Sequence, residues 1–169
     1  MAFQFERNFI LHNKAIFHYI YFLVGNKETA EDLTQETFLK AIQGGKSFRG
    51  DAEMKTWLTK IARNTVYDHF RRRKVIRFIP FLKSHEEIDH TYEPESWLLH
   101  KAEDYRLYAA LGQLKFEFRD AIVLRKIEGY SIKETAKILE YSEAKVKNCT
   151  ERGMKALREL LGGESDEFR

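Results

Sequence analysis

The sequence of 169 residues contains one cysteine, Cys149, and two prolines. A single cysteine excludes an intrachain disulfide framework, and we therefore expect a reducing, cytoplasmic setting. The most apolar run, "FHYIYFLV" at residues 17–24, falls well short of the roughly 20 residues that a membrane helix needs, so we expect it to lie in a core. No basic start leads into an apolar stretch with a small-residue cleavage site, so no secretory signal is expected.

Patterns that would build a β-sheet are also missing, because no run alternates apolar and polar residues between turn residues. Apolar residues recur instead at the i, i+3, i+4 spacing of amphipathic helices, which predicts an all-α fold. In the second predicted helix, the side facing the core includes Phe38 and Ile42, and Gly44 with Gly45 ends the helix. The predicted helices cover 3–24, 28–43, 52–74, 97–112, 116–128, 132–139 and 143–161.

Charge is distributed unevenly along the chain, although its net value is only +3. Residues 1–74 carry a net charge of +5, residues 75–105 carry −4, and residues 106–169 carry +2. The acidic stretch also contains Pro80 and Pro94 and lacks apolar periodicity, which is typical of a linker. The sequence therefore predicts two small helical domains, 1–74 and 97–169, joined by a flexible acidic linker at 75–96.

A helix-turn-helix pattern occupies "SIKETAKILEYSEAKVKNCTERGMKALREL" at residues 131–160. Ser131 and Glu134 form the sequence signature of a capping box, and Ser142 is placed to cap a second helix. Such a second helix can enter the major groove of DNA, where Asn reads adenine and Arg or Lys reads guanine. A plain helical hairpin with a solvated charged face is the alternative, because many helix pairs show this spacing. Glu140 occupies the turn position where glycine is usual and would have to adopt a left-handed conformation at some cost. The outward side chains are Glu143, Lys147, Asn148, Glu151 and Arg152.

The third predicted helix lies in "RGDAEMKTWLTKIARNTVYDHFRRRK" at residues 49–74 and has a basic side that also carries an aromatic and an amide. This combination is typical of a surface that binds a nucleic acid backbone and its unstacked bases. The alternative is a solvated helix end whose last cations complement the helix dipole. The side chains in question are Lys60, Arg63, Asn64, Tyr67 and the run Arg71 to Lys74.

Signatures of catalysis are lacking. The chain has no phosphate-cradling glycine motif and no nucleophile elbow, and its six histidines and one cysteine show no zinc-ligand spacing. The segment "HEEIDH" at residues 85–90 could bind a metal in passing, but its composition favours a solvated linker. We therefore expect no enzymatic activity, no cofactor, no metal site and no small-molecule substrate.

Three segments together resemble a known family: "AEDLTQETFLKA", "FRGDAEMKTWLTKIARNTVYDHFRRRK" and "LRKIEGYSIKETAKILEYSEAKVKNCTERGMKALREL". In their order and separation they are similar to the conserved regions of bacterial extracytoplasmic-function (ECF) sigma factors of the sigma-70 family. The resemblance covers roughly residues 3–74 and 97–161. It implies a region 2 helical bundle, a region 4 helix-turn-helix and a role in promoter-specific transcription initiation, as in an envelope or stress response.

The resemblance also implies roles for positions of the first domain. The segment matching 28–43 would dock on the clamp helices of core RNA polymerase, with contacts from Asp32, Gln35, Glu36 and Leu39. The loop matching 47–55 would receive a flipped base of the minus-ten element, and the position matching Asn64 would contact that base. The implied minus-ten residues are Phe48, Arg49, Trp57, Lys60, Arg63, Asn64, Tyr67 and Arg71.

In the second domain, the resemblance implies recognition of the minus-thirty-five element. The chain departs from common members at Glu140 and at Glu151, and a glutamate at the second position can accept a hydrogen bond from cytosine. Most members are also held inactive by an anti-sigma factor, which is often membrane-anchored. The implied DNA-binding residues are Ser142, Lys145, Lys147, Asn148, Glu151 and Arg152.

Two other classes of protein fit parts of the pattern. A free-standing helix-turn-helix regulator would bind duplex DNA as a dimer without polymerase, at a symmetric site with half-sites about one helical turn apart. A protein adaptor using the 28–43 helix would have no affinity for DNA. A sigma factor, by contrast, is expected to bind DNA weakly without polymerase and to recognise an asymmetric site made of two elements.

Overall fold

The computed structural model describes residues 5–45, 48, 53–76 and 101–162. All regular structure in these ranges is helical, and the chain divides into two compact units, Met1–Ile88 and Asp89–Arg169. The prediction of an all-α fold with two domains is therefore confirmed, whereas the linker limits stay a prediction because residues 77–100 lie outside the described part. The helices are α1 Phe5–Val24, α2 Lys27–Gly44, α3 Met54–Ile76, α4 Lys101–Gln113, α5 Phe116–Ile122, α6 Ile132–Leu139 and α7 Glu143–Leu160.

The turn between α1 and α2 is made by two residues with distinct roles. Gly25 has a φ of +69°, a left-handed conformation that glycine adopts without steric cost, and its amide donates to the Tyr21 carbonyl at 2.8 Å. Asn26 then caps α2, because its Oδ1 accepts from the Thr29 amide at 2.8 Å. This tight connection returns α2 alongside α1.

The first unit packs α1, α2 and α3 around one core. Tyr19, Phe38 and Leu58 are fully buried contributions from the three helices. Buried threonines satisfy their hydroxyls locally, as when Thr37 donates to the Leu33 carbonyl at 2.7 Å. The prediction that Ile42 faces this core is wrong: its side chain is 44% exposed, because the buried side of α2 ends at Ala41.

The second unit contains a break in helical geometry that the sequence pattern did not predict. The predicted helix 116–128 is α-helical only to Ile122, and Val123–Ile127 forms a π-helical turn. There the amide of Glu128 donates to the carbonyl of Val123, five residues back, at 2.8 Å. The wider turn ends the helix and leads the chain into α6.

Helices α5 and α7 approach closely at Gly153. A Cβ added there would lie 2.8 Å from Ile122 Cδ1 and 3.0 Å from Phe118 Cβ. The Ile122 methyl can rotate, but Phe118 Cβ cannot move without its helix. Only glycine therefore fits between the two helices at this distance.

We expect Gly153→Ala to lower the free energy of unfolding of the second unit by about 1–2 kcal/mol, because overpacking outweighs the gain in helix propensity. Gly112→Ala is the matched control, since a Cβ at Gly112 meets no atom within 4 Å. That control should be neutral or stabilise by up to about 1 kcal/mol. Urea unfolding followed by hydrogen exchange in α5 and α7 measures both variants, and equal stabilisation by the two alanines would contradict the close approach.

Candidate nucleic-acid and polymerase-binding faces

The turn before α7 is fixed by caps on both sides. The Ser131 hydroxyl accepts from the Glu134 amide at 3.1 Å while the Glu134 carboxylate accepts from the Ser131 amide at 2.7 Å, so the predicted capping box is confirmed. Ser142 caps α7 by accepting from the Lys145 amide at 3.1 Å. Glu140 ends α6 in a left-handed conformation, with φ 57° and ψ 39°, which is the strained backbone expected for a non-glycine residue in this turn.

Helix α7 buries one side and exposes the other. Val146, Cys149 and Met154 are buried, and burial raises the pKa of the Cys149 thiol, with Glu117 adding to the effect. The thiol is therefore a protonated core group. All six residues predicted to contact the minus-thirty-five element are exposed on or just before α7: Ser142, Lys145, Lys147, Asn148, Glu151 and Arg152.

Two of the α7 cations lie over aromatic rings of their own unit. Lys145 Nζ is 3.6 Å from the centre of the Tyr141 ring, and Arg152 Cζ is 5.5 Å from the centre of the Phe118 ring. Such contacts contribute about 0.5–1 kcal/mol at exposed sites. They restrict the two side chains before any ligand binds, so less conformational entropy is lost on binding a ligand.

On α3, Arg63 joins two exposed neighbours into a cluster, here called the Arg63 cluster (Arg63, Asn64 and Tyr67). The Arg63 guanidinium lies 4.9 Å from the centre of the Tyr67 ring, and its Nη1 donates to Asn64 Oδ1 at 3.5 Å. Asn64 and Tyr67 are exposed, while Val66 between them is buried. An exposed ring beside an amide and a cation can stack on a base, bond to its edge and neutralise a phosphate.

A second aromatic contact lies at the start of α3. The rings of Phe48 and Trp57 are 5.1 Å apart with an interplanar angle of 52°, and both side chains are half-exposed. Lys60 is half-buried on the next turn of the helix, and Arg71 is exposed near its end. Arg49 and most of the predicted base-binding loop 47–55 lie outside the described residues.

The four residues of α2 that were predicted to contact polymerase differ in exposure. Asp32, Gln35 and Leu39 are exposed, and Leu39, at 59% exposure, stands one turn from the exposed Ile42. Sequence reasoning missed Ile42, because an apolar residue next to the core stripe is indistinguishable from a core residue. This exposed apolar pair is a feature that a protein partner can cover.

Glu36, by contrast, is half-buried where α2 meets α3. Its Oε1 lies 2.9 Å from Lys40 Nζ and 3.5 Å from Arg72 Nη2. Partial burial alone would raise the pKa of the Glu36 carboxyl, but the Lys40 and Arg72 partners together lower it below the ordinary value. The i, i+4 spacing to Lys40 is visible in the sequence, whereas the approach of Arg72 from another helix is not.

A group of metal ligands and a membrane-spanning helix are both absent from the described ranges. No three His, Cys, Asp or Glu side chains of residues 5–45, 48, 53–76 and 101–162 converge as metal ligands, and "HEEIDH" at 85–90 lies outside them. No helix in the same ranges has both the length and the hydropathy needed to cross a membrane.

Comparison with known proteins assigns both units to described families. Residues 9–75 match Sigma-70 region 2, and residues 104–157 match Sigma-70, region 4. The ECF RNA polymerase sigma factor SigX of Bacillus subtilis is 35% identical over 98% of this chain and 90% of SigX. The ECF RNA polymerase sigma factor SigM of Mycobacterium tuberculosis is 31% identical over 95% of this chain and 78% of SigM.

Two solved structures also match this chain. The sigma factor RpoE from Bartonella quintana, crystallised with the anti-sigma factor NepR, matches with a TM-score of 0.74 and 26% identity over 95% of this chain and 98% of RpoE. CnrH, solved with the cytosolic domain of CnrY, has the same fold, with a TM-score of 0.70 and 24% identity over 95% of this chain and 89% of CnrH. With both helical units and nearly the whole length matched, the chain belongs to the ECF RNA polymerase sigma factors of the sigma-70 family, and its function is in transcription initiation.

Proposed function

We propose that this sigma factor binds polymerase and the two promoter elements through three separate surfaces. The outer side of α2, with Asp32, Gln35 and Leu39, docks on the clamp helices of core RNA polymerase. The Arg63 cluster and the end of α3 bind the melted minus-ten element, and the exposed side of α7 reads the minus-thirty-five element. The observation that carries this proposal is the Arg63 cluster, because an exposed amide and an exposed aromatic ring lie together with a half-exposed cation on one helix.

Recognition of the minus-ten element requires bases that have left the duplex stack, which costs a few kcal/mol. Stacking of a base on an exposed ring such as that of Tyr67 recovers about 1–3 kcal/mol. Asn64 Oδ1 accepts from Arg63, so the amide Nδ2 of Asn64 remains able to donate to an acceptor on a base edge. Binding energy of this kind opens DNA without nucleotide hydrolysis, and we propose that the protein has no enzymatic activity of its own.

At the upstream element, α7 is proposed to enter the major groove. Asn148 and Arg152 carry the groups suited to adenine and guanine, and Glu151 can accept from the amino group of cytosine. Lys145 and Lys147 are proposed to contact phosphates, which position the helix without reading sequence. The chain is proposed to act in the cytoplasm, where RNA polymerase transcribes, and in an envelope or stress response.

An anti-sigma factor is the proposed regulatory partner. Support comes from Bartonella RpoE, which is 26% identical to this chain and was crystallised with one. Leu39 and Ile42 on α2 give such an inhibitor an apolar surface to cover in competition with polymerase. We propose that the inhibitor is membrane-anchored and is released by an envelope signal, and a complex that leaves Leu39 and Ile42 uncovered would contradict this competition.

Replacing the base-contacting amide tests the assignment of α3. We expect Asn64→Ala to leave affinity for core polymerase unchanged within about twofold and to reduce open promoter complexes by about tenfold, the effect of losing one base-edge contact of about 1–3 kcal/mol. Permanganate footprinting measures the opened bases. Asn13→Ala, which removes an amide from the half-exposed side of α1, is the matched control and should open promoters normally. Full promoter opening by Asn64→Ala would contradict the assignment.

A further inference from the structure

Helices α2 and α3 are joined by a chain of ion pairs, here called the α2–α3 ion network (Glu36, Lys40, Asp68, Arg71 and Arg72). Glu36 pairs with Lys40 at 2.9 Å and with Arg72 at 3.5 Å, and Asp68 pairs with Arg71 at 3.2 Å and with Lys40 at 3.9 Å. The Nε of Arg72 also donates to the Asp68 carbonyl at 3.3 Å. Three cations thus share two carboxylates.

This network lies beside the face of α3 that is proposed to meet DNA. Arg71 follows Tyr67 by one helical turn on the exposed side, and Arg72 is the next residue, on the side toward α2. The side chains of Arg71 and Arg72 are 68% and 60% exposed. Both guanidinium groups are therefore within reach of solvent, and of any phosphate brought to the end of α3.

Each arginine already has an internal counterion. Exposed ion pairs of this type contribute at most about 1 kcal/mol, so a phosphate can displace the carboxylate. The displacement nevertheless reduces the net gain from a phosphate contact, because the carboxylate loses its partner and stays close by. With two carboxylates against three cations, the network presents a net charge of +1 instead of +3 to DNA.

We propose that Glu36 is a positioning residue for DNA binding: it holds Arg72 against α2 and thereby restrains the affinity of the free protein for non-promoter DNA. The inference rests on the proposed function, since it requires the end of α3 to meet DNA. It also gives Glu36 a role inside the domain, in addition to its predicted place on the polymerase-docking helix. In this account Arg72 contributes fully to DNA binding only when Glu36 releases it.

The test measures binding of the full chain to a fluorescent duplex of non-promoter sequence between 50 and 200 mM salt. Glu36→Gln keeps the shape of the side chain and removes its charge. We expect about fivefold tighter binding at the low-salt end and a slope of log K against log salt steeper by about 0.9, because one more cation becomes available to phosphate. Glu31→Gln is the matched control: it removes the same charge from the same helix, where Glu31 pairs with Lys27 at 3.9 Å, and it should change affinity less than twofold.

A double variant separates the role of Arg72 from a general change in charge. In an Arg72→Gln background, Glu36→Gln should tighten binding no more than Glu31→Gln does. The proposal is overturned if Glu36→Gln and Glu31→Gln act equally in the unmodified chain, or if the Glu36→Gln gain persists without Arg72. If Arg71→Gln and Arg72→Gln also leave binding to this duplex unchanged, the end of α3 does not contact duplex DNA and the inference fails, whereas the proposed role at the melted minus-ten element fails only if Asn64→Ala opens promoters fully.

Discussion

Arg119→Ala is expected to lower the free energy of unfolding of the second unit by about 3–5 kcal/mol, the cost of breaking a buried charged network. The Arg119 guanidinium is buried and donates to three carbonyls at the end of α4: to Leu111 at 2.7 Å, to Gly112 at 2.8 Å and to Leu114 at 3.3 Å. Burial lowers the pKa of Arg119 to about 10, against an opposing effect of the adjacent Asp120. The side chain therefore remains charged at neutral pH.

The effect on stability is large because Arg119 caps the C-terminal end of α4. The last carbonyls of a helix have no partners within it, and a buried carbonyl without a donor costs about 1–3 kcal/mol. Alanine would remove this donor from the carbonyls of Leu111, Gly112 and Leu114, of which the Leu111 carbonyl keeps the Leu114 amide at 3.2 Å, and would remove a positive charge near the buried Asp120.

Hydrogen exchange of peptides from α4 to α7 in increasing urea measures the loss of unfolding free energy in this unit alone. Arg119→Lys retains the charge but not the forked donors, and it should fall between the native chain and the alanine variant. Arg158→Ala, at an exposed position of α7, should change stability by no more than about 0.5 kcal/mol. Equal effects of Arg119→Ala and Arg158→Ala would contradict a capping role for Arg119.

Variants of α7 are expected to give the largest effects on promoter choice. We expect Asn148→Ala and Arg152→Ala each to reduce the preference of the polymerase complex for its promoter over one with a scrambled upstream element by about 10- to 100-fold, since a good base contact contributes about 1–3 kcal/mol of discrimination. Both side chains are exposed on α7, and Arg152 is already restricted by its contact with Phe118.

Lys155→Ala is the matched control for these variants. Lys155 is exposed on α7 beyond Arg152 and lies outside the predicted reading set. Its loss should weaken binding to both promoters alike and lower the salt slope by about 1, as expected for a phosphate contact. Competition binding with the two promoters separates the outcomes, and equal discrimination by all three variants would show that α7 does not read the upstream element.

Local sequence rules accounted for most of the secondary structure. Caps at Ser131 and Ser142 and the left-handed Glu140 depend on residues within a few positions of one another, and the structure confirms all three. The π-helical turn at Val123–Ile127 was missed, because an apolar pattern does not distinguish it from a continued α-helix.

Interactions between helices were the part that the sequence could not specify. In the sequence, Arg119 resembles any cation on a helix. It is a buried cap only because the end of α4 lies beside it in the structure. Glu36 reads as a surface carboxylate, and only α3 brings Arg72 to it. The residues predicted to bind polymerase, the minus-ten element and the minus-thirty-five element stay predictions. They are supported by the exposure of the side chains and by the functional groups that these side chains bear.

The central claim is that the chain directs polymerase to promoters with two elements. The most direct test is transcription of fragmented genomic DNA by bacterial core RNA polymerase, with and without the protein, with sequencing of the transcript starts. We predict new starts that share two upstream elements and that become about tenfold less abundant with Asn64→Ala. Unchanged starts, together with specific retention of DNA fragments by the protein alone, would contradict the account and identify a free-standing regulator.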